Sequence, residues 1–161
     1  MKILMIYPEF PDTFWSFKHA LSFIRKKASS PPLGLLTIAG LFPQSWEKRL
    51  IDMNVEKLRD KDIQWADMVF ISAMTVQRSS SVKVIERVNA LGKPIVAGGP
   101  LFTMDPDAFP TVDHLVLNEG EITVPMFLAD LEKGQAKKRY ETTEYADITQ
   151  TPIPDWSLIK L

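Results

Sequence analysis

Five short apolar runs, separated by helical patterns or loops, constrain this 161-residue chain more than any other feature. They fall at residues 2–7, 48–53, 67–73, 94–97 and 114–117. The first, third and fourth have near-continuous apolar centres, which fit strands covered on both faces. The third run has Met68-Val69-Phe70-Ile71 at its centre, with no polar position between them. Between the runs, residues 33–41 are apolar nearly all round, which predicts a buried helix. Ser29-Ser30-Pro31-Pro32 reads as its start, a hydroxyl cap followed by proline. Residues 79–91 predict an amphipathic helix with Val82, Ile85, Val88 and Leu91 on one stripe and Gly92 as its stop. Shorter helices are expected within 55–62 and 105–109, and a last one over 123–132, with Pro125 in its first turn. Strand–helix alternation of this kind implies a parallel sheet with helices on both faces and right-handed crossovers. The expected architecture is flavodoxin-like, five strands in the order 2-1-3-4-5.

Two segments stand apart from the alternation. Residues 9–30 are too long for an ordinary strand-to-helix loop. They carry Phe10, Phe14, Trp15, Phe17 and Phe23 and read as an insertion, partly helical over 15–26. From Gln135 onward the chain is mostly polar, with Pro152 and Pro154. The division expected from this is a domain over 1–134 and a tail or linker over 135–161 lying outside the core.

Composition removes several function classes. A net charge of −1 gives no basis for a nucleic-acid partner. No apolar run approaches the ~20 residues that span a bilayer, so membrane insertion is not expected. The first apolar run is short and broken by Pro8-Glu9, unlike a signal peptide, so a cytoplasmic protein is expected. The chain has no cysteine, so no disulfide, thiolate metal site or cysteine-held iron–sulfur cluster can form within it.

Open parallel sheets bind ligands at the carboxyl ends of their strands. Those ends carry Pro8-Glu9-Phe10, Asp52-Met53-Asn54, Ser72-Ala73-Met74-Thr75, Gly98-Gly99-Pro100 and Asn118-Glu119-Gly120-Glu121. None contains Lys or Arg, which suits a large organic ligand better than a cluster of phosphates. Each also has a plainer reading. Gly98-Gly99 makes a tight turn, Ser72 and Thr75 satisfy strand ends or cap helices, Asp52 and Asn54 organise a turn, and Glu119 and Glu121 complement a helix N-terminus. Of the two histidines, His114 opens the fifth strand at the wrong end for the crevice, and His19 sits in the aromatic insertion. Neither the metal-binding nor the catalytic set is assigned a residue.

Four stretches carry a resemblance: Ser30-Pro31-Pro32-Leu33-Gly34-Leu35-Leu36, Leu50-Ile51-Asp52-Met53-Asn54, Val96-Ala97-Gly98-Gly99-Pro100 and Leu117-Asn118-Glu119-Gly120-Glu121. Together they resemble the N-terminal cobalamin-binding domain of cobalamin-dependent radical S-adenosylmethionine enzymes. Thr151-Pro152-Ile153-Pro154-Asp155-Trp156 looks like the linker before their radical domain. The resemblance implies a corrin lying across the strand ends, with the nucleotide tail running beside the sheet. It places Ser72 and Thr75 along the tail slot, Gly98 and Gly99 where the tail passes, and Glu119 and Gly120 near the corrin. Pro8, Asp52, Asn54, Met74 and Pro100 complete the implied cofactor-binding set. The position of Gly98 and Gly99 at a strand end adds the expectation that Gly99→Val weakens ligand binding in a domain that stays folded.

Many cobalamin domains carry Asp-x-His-x-x-Gly after the first strand, where the histidine ligates cobalt. Here that loop begins Pro8-Glu9-Phe10-Pro11-Asp12, which implies cobalamin bound without a protein histidine. The family's 4Fe–4S cluster needs three cysteines, so the cluster and S-adenosylmethionine belong to a missing part of a parent chain, and this part alone is not catalytic. Two readings compete from other classes: a structural domain without a ligand, and the nucleotide-sugar-binding half of a glycosyltransferase. A signalling receiver is disfavoured because strand three ends Ile71-Ser72-Ala73 rather than in aspartate, and a flavodoxin because no hydroxyl-rich loop follows strand one.

Overall fold

The computed structural model describes residues 1–12, 28 and 30–159. The expected helix over 15–26, His19 and Ser29 lie outside the described residues. Six parallel strands form one sheet in the order β2-β1-β3-β4-β5-β6. They are β1 (Lys2–Tyr7), β2 (Glu47–Asp52), β3 (Met68–Ser72), β4 (Ile95–Gly98), β5 (His114–Val116) and β6 (Arg139–Tyr140). The first five keep the predicted flavodoxin-like order.

Alternation along each strand sends side chains to two cores. Leu4 and Ile6 of β1, Val69 and Ile71 of β3 and Ile95 and Ala97 of β4 share one face. There they meet α2 (Asp60–Trp65), α3 (Arg78–Ala90) and α4 (Pro100–Met104) through Ile63, Val84, Ile85, Val88, Leu101 and Phe102. Ile3, Met5, Phe70, Val96 and Val116 face the other way, toward α1 (Leu33–Leu41) and α5 (Gly120–Glu132). An aromatic row runs across this second face, with ring centroids 4.8 Å apart for Phe42–Phe70, 6.1 Å for Phe70–Phe127 and 5.7 Å for Phe127–Tyr140.

Several local expectations change. The cap position of α1 is Pro32, with no side-chain capping bond, rather than a serine hydroxyl. The buried stripe of α3 is Ser81, Val84, Ile85 and Val88, while Val82 is exposed. Ser81 is tolerated there because its hydroxyl donates to the Gln77 carbonyl at 2.9 Å. Helix α5 starts three residues before the predicted position, because the Glu119 carbonyl already receives Ile122 N and Thr123 N, both at 3.0 Å, with no side-chain cap. Pro125 therefore stands in the second turn rather than the first.

The largest correction concerns the tail. It does not lie wholly outside the core, because Arg139–Tyr140 adds a sixth strand beside β5 and Tyr140 is 3% exposed. The tyrosine hydroxyl donates to Asp130 Oδ2 at 3.0 Å and accepts from Lys137 N at 2.7 Å. Further on, Asp155 N donates to the Leu36 carbonyl at 2.9 Å, and Lys48 Nζ lies 2.6 Å from Asp155 Oδ2. Leu158 packs against the same core as Tyr140.

The Lys48–Asp155 contact gives a pH-dependent expectation. The hydrogen bond from Lys48, then that from Ser157, holds the Asp155 carboxyl below its ordinary value of 3.8. A carboxylate depressed in the folded state stabilises above its unfolded value and loses that contribution as pH falls through the folded one. Asp155→Asn should therefore cost about 1 kcal/mol near neutral pH. The gap between variant and unaltered chain should close as the pH falls below 3.8, measured by thermal melts across acid pH.

Candidate functional site

With every strand parallel, the loops after β1 to β5 emerge along one edge. The chain turns one way to place β2 beside β1 and the other way to place β3, so the strand order reverses between β1 and β3. At that switch point the Pro8 carbonyl accepts from Gln77 Nε2 at 2.5 Å and from Asn54 Nδ2 at 3.3 Å. Asn54 Oδ1 accepts from Phe10 N at 2.8 Å, and Asp52 Oδ1 receives both Asn54 N (2.9 Å) and Asn54 Nδ2 (2.7 Å). Asp52 and Asn54 thus tie the loops after β1 and β2 together, and Gln77, bonded to the same Pro8 carbonyl, adds the loop after β3. Two residues of this network went unread in the sequence. Gln77 is buried and its Oε1 also accepts from Met74 N at 2.7 Å, and Ser80 Oγ accepts from Glu9 N at 3.0 Å. Nothing in their spacing marks them. Tyr7, half-buried beside them, has its phenol pushed up by burial first and by the Asp52 charge second, against a lowering bond from Gln77. It stays neutral through physiological pH.

In the middle of the edge, Ser72 stands opposite Gly98 in register. Gly99 has φ +87°, and a Cβ there would lie 2.7 Å from Ser72 Oγ and 3.3 Å from the Ala73 carbonyl oxygen. A Cβ on Gly98 would lie 2.6 Å from the Val116 carbonyl oxygen. The pair is bare backbone because the ends of β3 and β5 crowd it, and the result is a floor without side chains. Pro100 opens α4 immediately after it. Met74, Val76 and Met104 are exposed around this floor, and Thr75 Oγ1 lies 3.6 Å from Met104 Sδ. They give the edge an apolar lip.

At the β5 side the chain turns at Asn118, the one non-glycine among the described residues with a left-handed φ (62°). Asn118 N donates to Thr103 Oγ1 at 3.0 Å, and its side-chain Nδ2 donates to the Thr142 carbonyl at 2.5 Å. A cleft of about 500 Å³ opens here between Gly99, Pro100, Glu119 and residues 142–145.

The edge offers carbonyls, hydroxyls, carboxylates and apolar surface. Arg78, which opens α3, is committed to Asp105 at 2.6 Å and lies 5.3 Å over the Phe109 ring. No buried side-chain nitrogen or oxygen among the described residues lacks a partner, so the edge itself, not the core, is where a ligand finds polar groups.

Residues 25–128 match the family model of the B12 binding domain. The chain belongs to the B12-binding domain family. An uncharacterized methyltransferase of Synechocystis is 44% identical over 100% of this chain and 30% of its own length. The hopanoid C-2 methylase of Rhodopseudomonas palustris is 31% identical over 98% of the chain and 31% of its own length. A bacteriochlorophyllide d C-12(1)-methyltransferase of Chlorobaculum tepidum is 25% identical over 81% of the chain and 29% of its own length. This B12-binding domain thus spans about a third of the curated relatives it matches. No solved structure is significantly similar to it.

The edge fits cobalamin chemically. A large amphipathic ring with neutral amide arms needs apolar cover, uncharged hydrogen-bonding groups and a close backbone approach. The lip of Met74, Val76 and Met104, the hydroxyls of Ser72 and Thr75 and the bare Gly98-Gly99 floor provide these. His114 lies at the amino end of β5, opposite the crevice, with Nδ1 2.6 Å from the Lys137 carbonyl oxygen and its ring 5.1 Å from that of Phe127. It belongs to the packing of β6 and α5.

Proposed function

We propose that this B12-binding domain holds cobalamin across the carboxyl ends of its strands, with no protein histidine on the cobalt, and is the cofactor-holding part of a longer radical S-adenosylmethionine methyltransferase. The observation that carries the reading is the family match over residues 25–128, together with the bare Gly98-Gly99 backbone at the carboxyl end of β4. Ser72, Met74 and Thr75 would flank the nucleotide tail, and Pro100, Glu119 and Gly120 the corrin. Pro8, Asp52 and Asn54 would close the third side through the network that joins their loops. When bound, cobalamin supplies a cobalt centre able to carry a methyl group. This chain's residues bind it, orient it and shield one face from water.

The methyltransferase relatives support the transfer of a methyl group as the parent's reaction. The chain has no cysteine, so a radical domain with its 4Fe–4S cluster and S-adenosylmethionine would be supplied by another part of the parent. No helix among the described residues is long and apolar enough to cross a membrane, and a cytoplasmic parent is part of the proposal.

Titration of the chain with hydroxocobalamin, followed by absorbance and by calorimetry, should give saturable one-to-one binding. His19→Ala should leave the spectrum of the bound cobalamin unchanged. A shift in that spectrum would mean that His19 reaches the cobalt and that the histidine-free reading is wrong.

A further inference from the structure

We infer that the segment after β6, residues 142–145, is a wall of the cobalamin site and receives the neutral amide arms along one edge of the corrin. This inference rests on the proposed placement of cobalamin over the strand ends. The segment lies beyond residues 25–128, the part that matches the family model, and the sequence reads it as linker.

The structure ties it to the site at both ends. Asn118 Nδ2 donates to the Thr142 carbonyl at 2.5 Å, and Ala146 N donates to Glu119 Oε2 at 3.5 Å. The first tie depends on the left-handed turn at Asn118, a conformation that asparagine adopts more readily than most residues. Between the ties, Glu144 N donates to Thr142 Oγ1 at 3.0 Å, which folds the segment into a local turn facing α4 across the cleft. Tyr145 is 90% exposed at the mouth of that cleft. Its ring is free to cover an apolar surface that enters the cleft while its hydroxyl stays in water.

The chemistry of the cleft selects the ligand group. Thr103, Asn118 and Thr142 supply hydroxyl and amide groups, and Glu119 and Glu144 supply acceptors; no lysine or arginine lines it. A phosphate would meet only negative charge. A primary amide can donate to the carboxylates and accept from a hydroxyl, and the Tyr145 ring can lie on the apolar corrin margin.

The test uses the whole chain with two probes, hydroxocobalamin and cobinamide, which lacks the nucleotide tail. Tyr145→Ala and Glu144→Lys should each weaken binding of both probes about tenfold, the loss expected for one aromatic or charge-assisted contact. Melting temperature should not change, because both side chains are exposed. Saturating hydroxocobalamin should slow chymotrypsin cleavage after Tyr145. Unaltered affinity in both variants, with cleavage at the same rate, overturns the inference while leaving cobalamin binding intact. An effect seen with hydroxocobalamin but lost with cobinamide also overturns it, because the nucleotide tail would then occupy the cleft. Failure of the unaltered chain to bind either probe would instead overturn the reading on which the inference rests.

Discussion

Tyr140→Ala should lower stability by about 3–5 kcal/mol, the cost of emptying a buried aromatic site. For a chain of this length that corresponds to a fall in melting temperature of roughly 10 °C or more. The ring packs edge-on against Phe127, and its hydroxyl joins Asp130 on α5 to the backbone of Lys137. Tyr140→Phe separates the two contributions. It keeps the ring but leaves Lys137 N and Asp130 without their partner, at about 1–2 kcal/mol. Burial, foremost, raises the Tyr140 phenol above its ordinary value of 10.0. The neutral form is therefore the stabilised one, and this contribution is lost as pH rises through the folded value. A loss below about 1 kcal/mol for Tyr140→Ala would place β6 outside the cooperative unit, contrary to the packing described.

The second large effect is at the glycine pair. Gly98→Ala puts a methyl group 2.6 Å from a backbone oxygen of β5, which cannot rotate away as a side chain could. Gly99→Ala forces an L residue into φ +87° and against Ser72 Oγ. Each should cost about 2–4 kcal/mol in denaturant unfolding, and Gly99→Val more. This changes the expectation from sequence that Gly99→Val would leave the domain folded while weakening its ligand. The same crowding that keeps the floor bare makes it a folding requirement. Stability near that of the unaltered chain in Gly98→Ala would mean that β4 and β5 do not approach as closely as described.

These two sites also show what the sequence could reveal. Strands β1, β3 and β4 are legible because burial on both faces leaves unbroken apolar centres in them, over residues 3–6, 68–71 and 95–97. The double glycine is legible because it follows such a run directly. Strand β6 is not. It has two residues, only Tyr140 is buried, and Lys137, Lys138 and Arg139 before it look like a solvated stretch. Lys138 instead reaches the carbonyls of Pro110 and Val112, across from β5. The early start of α5 is hidden by Gly120 and Pro125, both poor helix formers, while the first helical bonds run to the Glu119 backbone carbonyl, which any residue would supply. At the site, the Asp52–Asn54 pair is a local turn that the sequence shows, but the partners of Asn54 in the first loop stand 44 and 46 residues away, and Gln77 reaches Pro8 across 69. Sequence spacing carries no trace of such pairings.

The most direct measurement is amide hydrogen exchange of the whole chain, with and without saturating hydroxocobalamin. The account predicts added protection in the loops after β1, β3, β4 and β5, centred on residues 8–10, 72–77, 98–104 and 118–121, and none at the amino ends of the strands. Saturable binding with protection at the amino ends, or with none at Gly98 and Gly99, would contradict it.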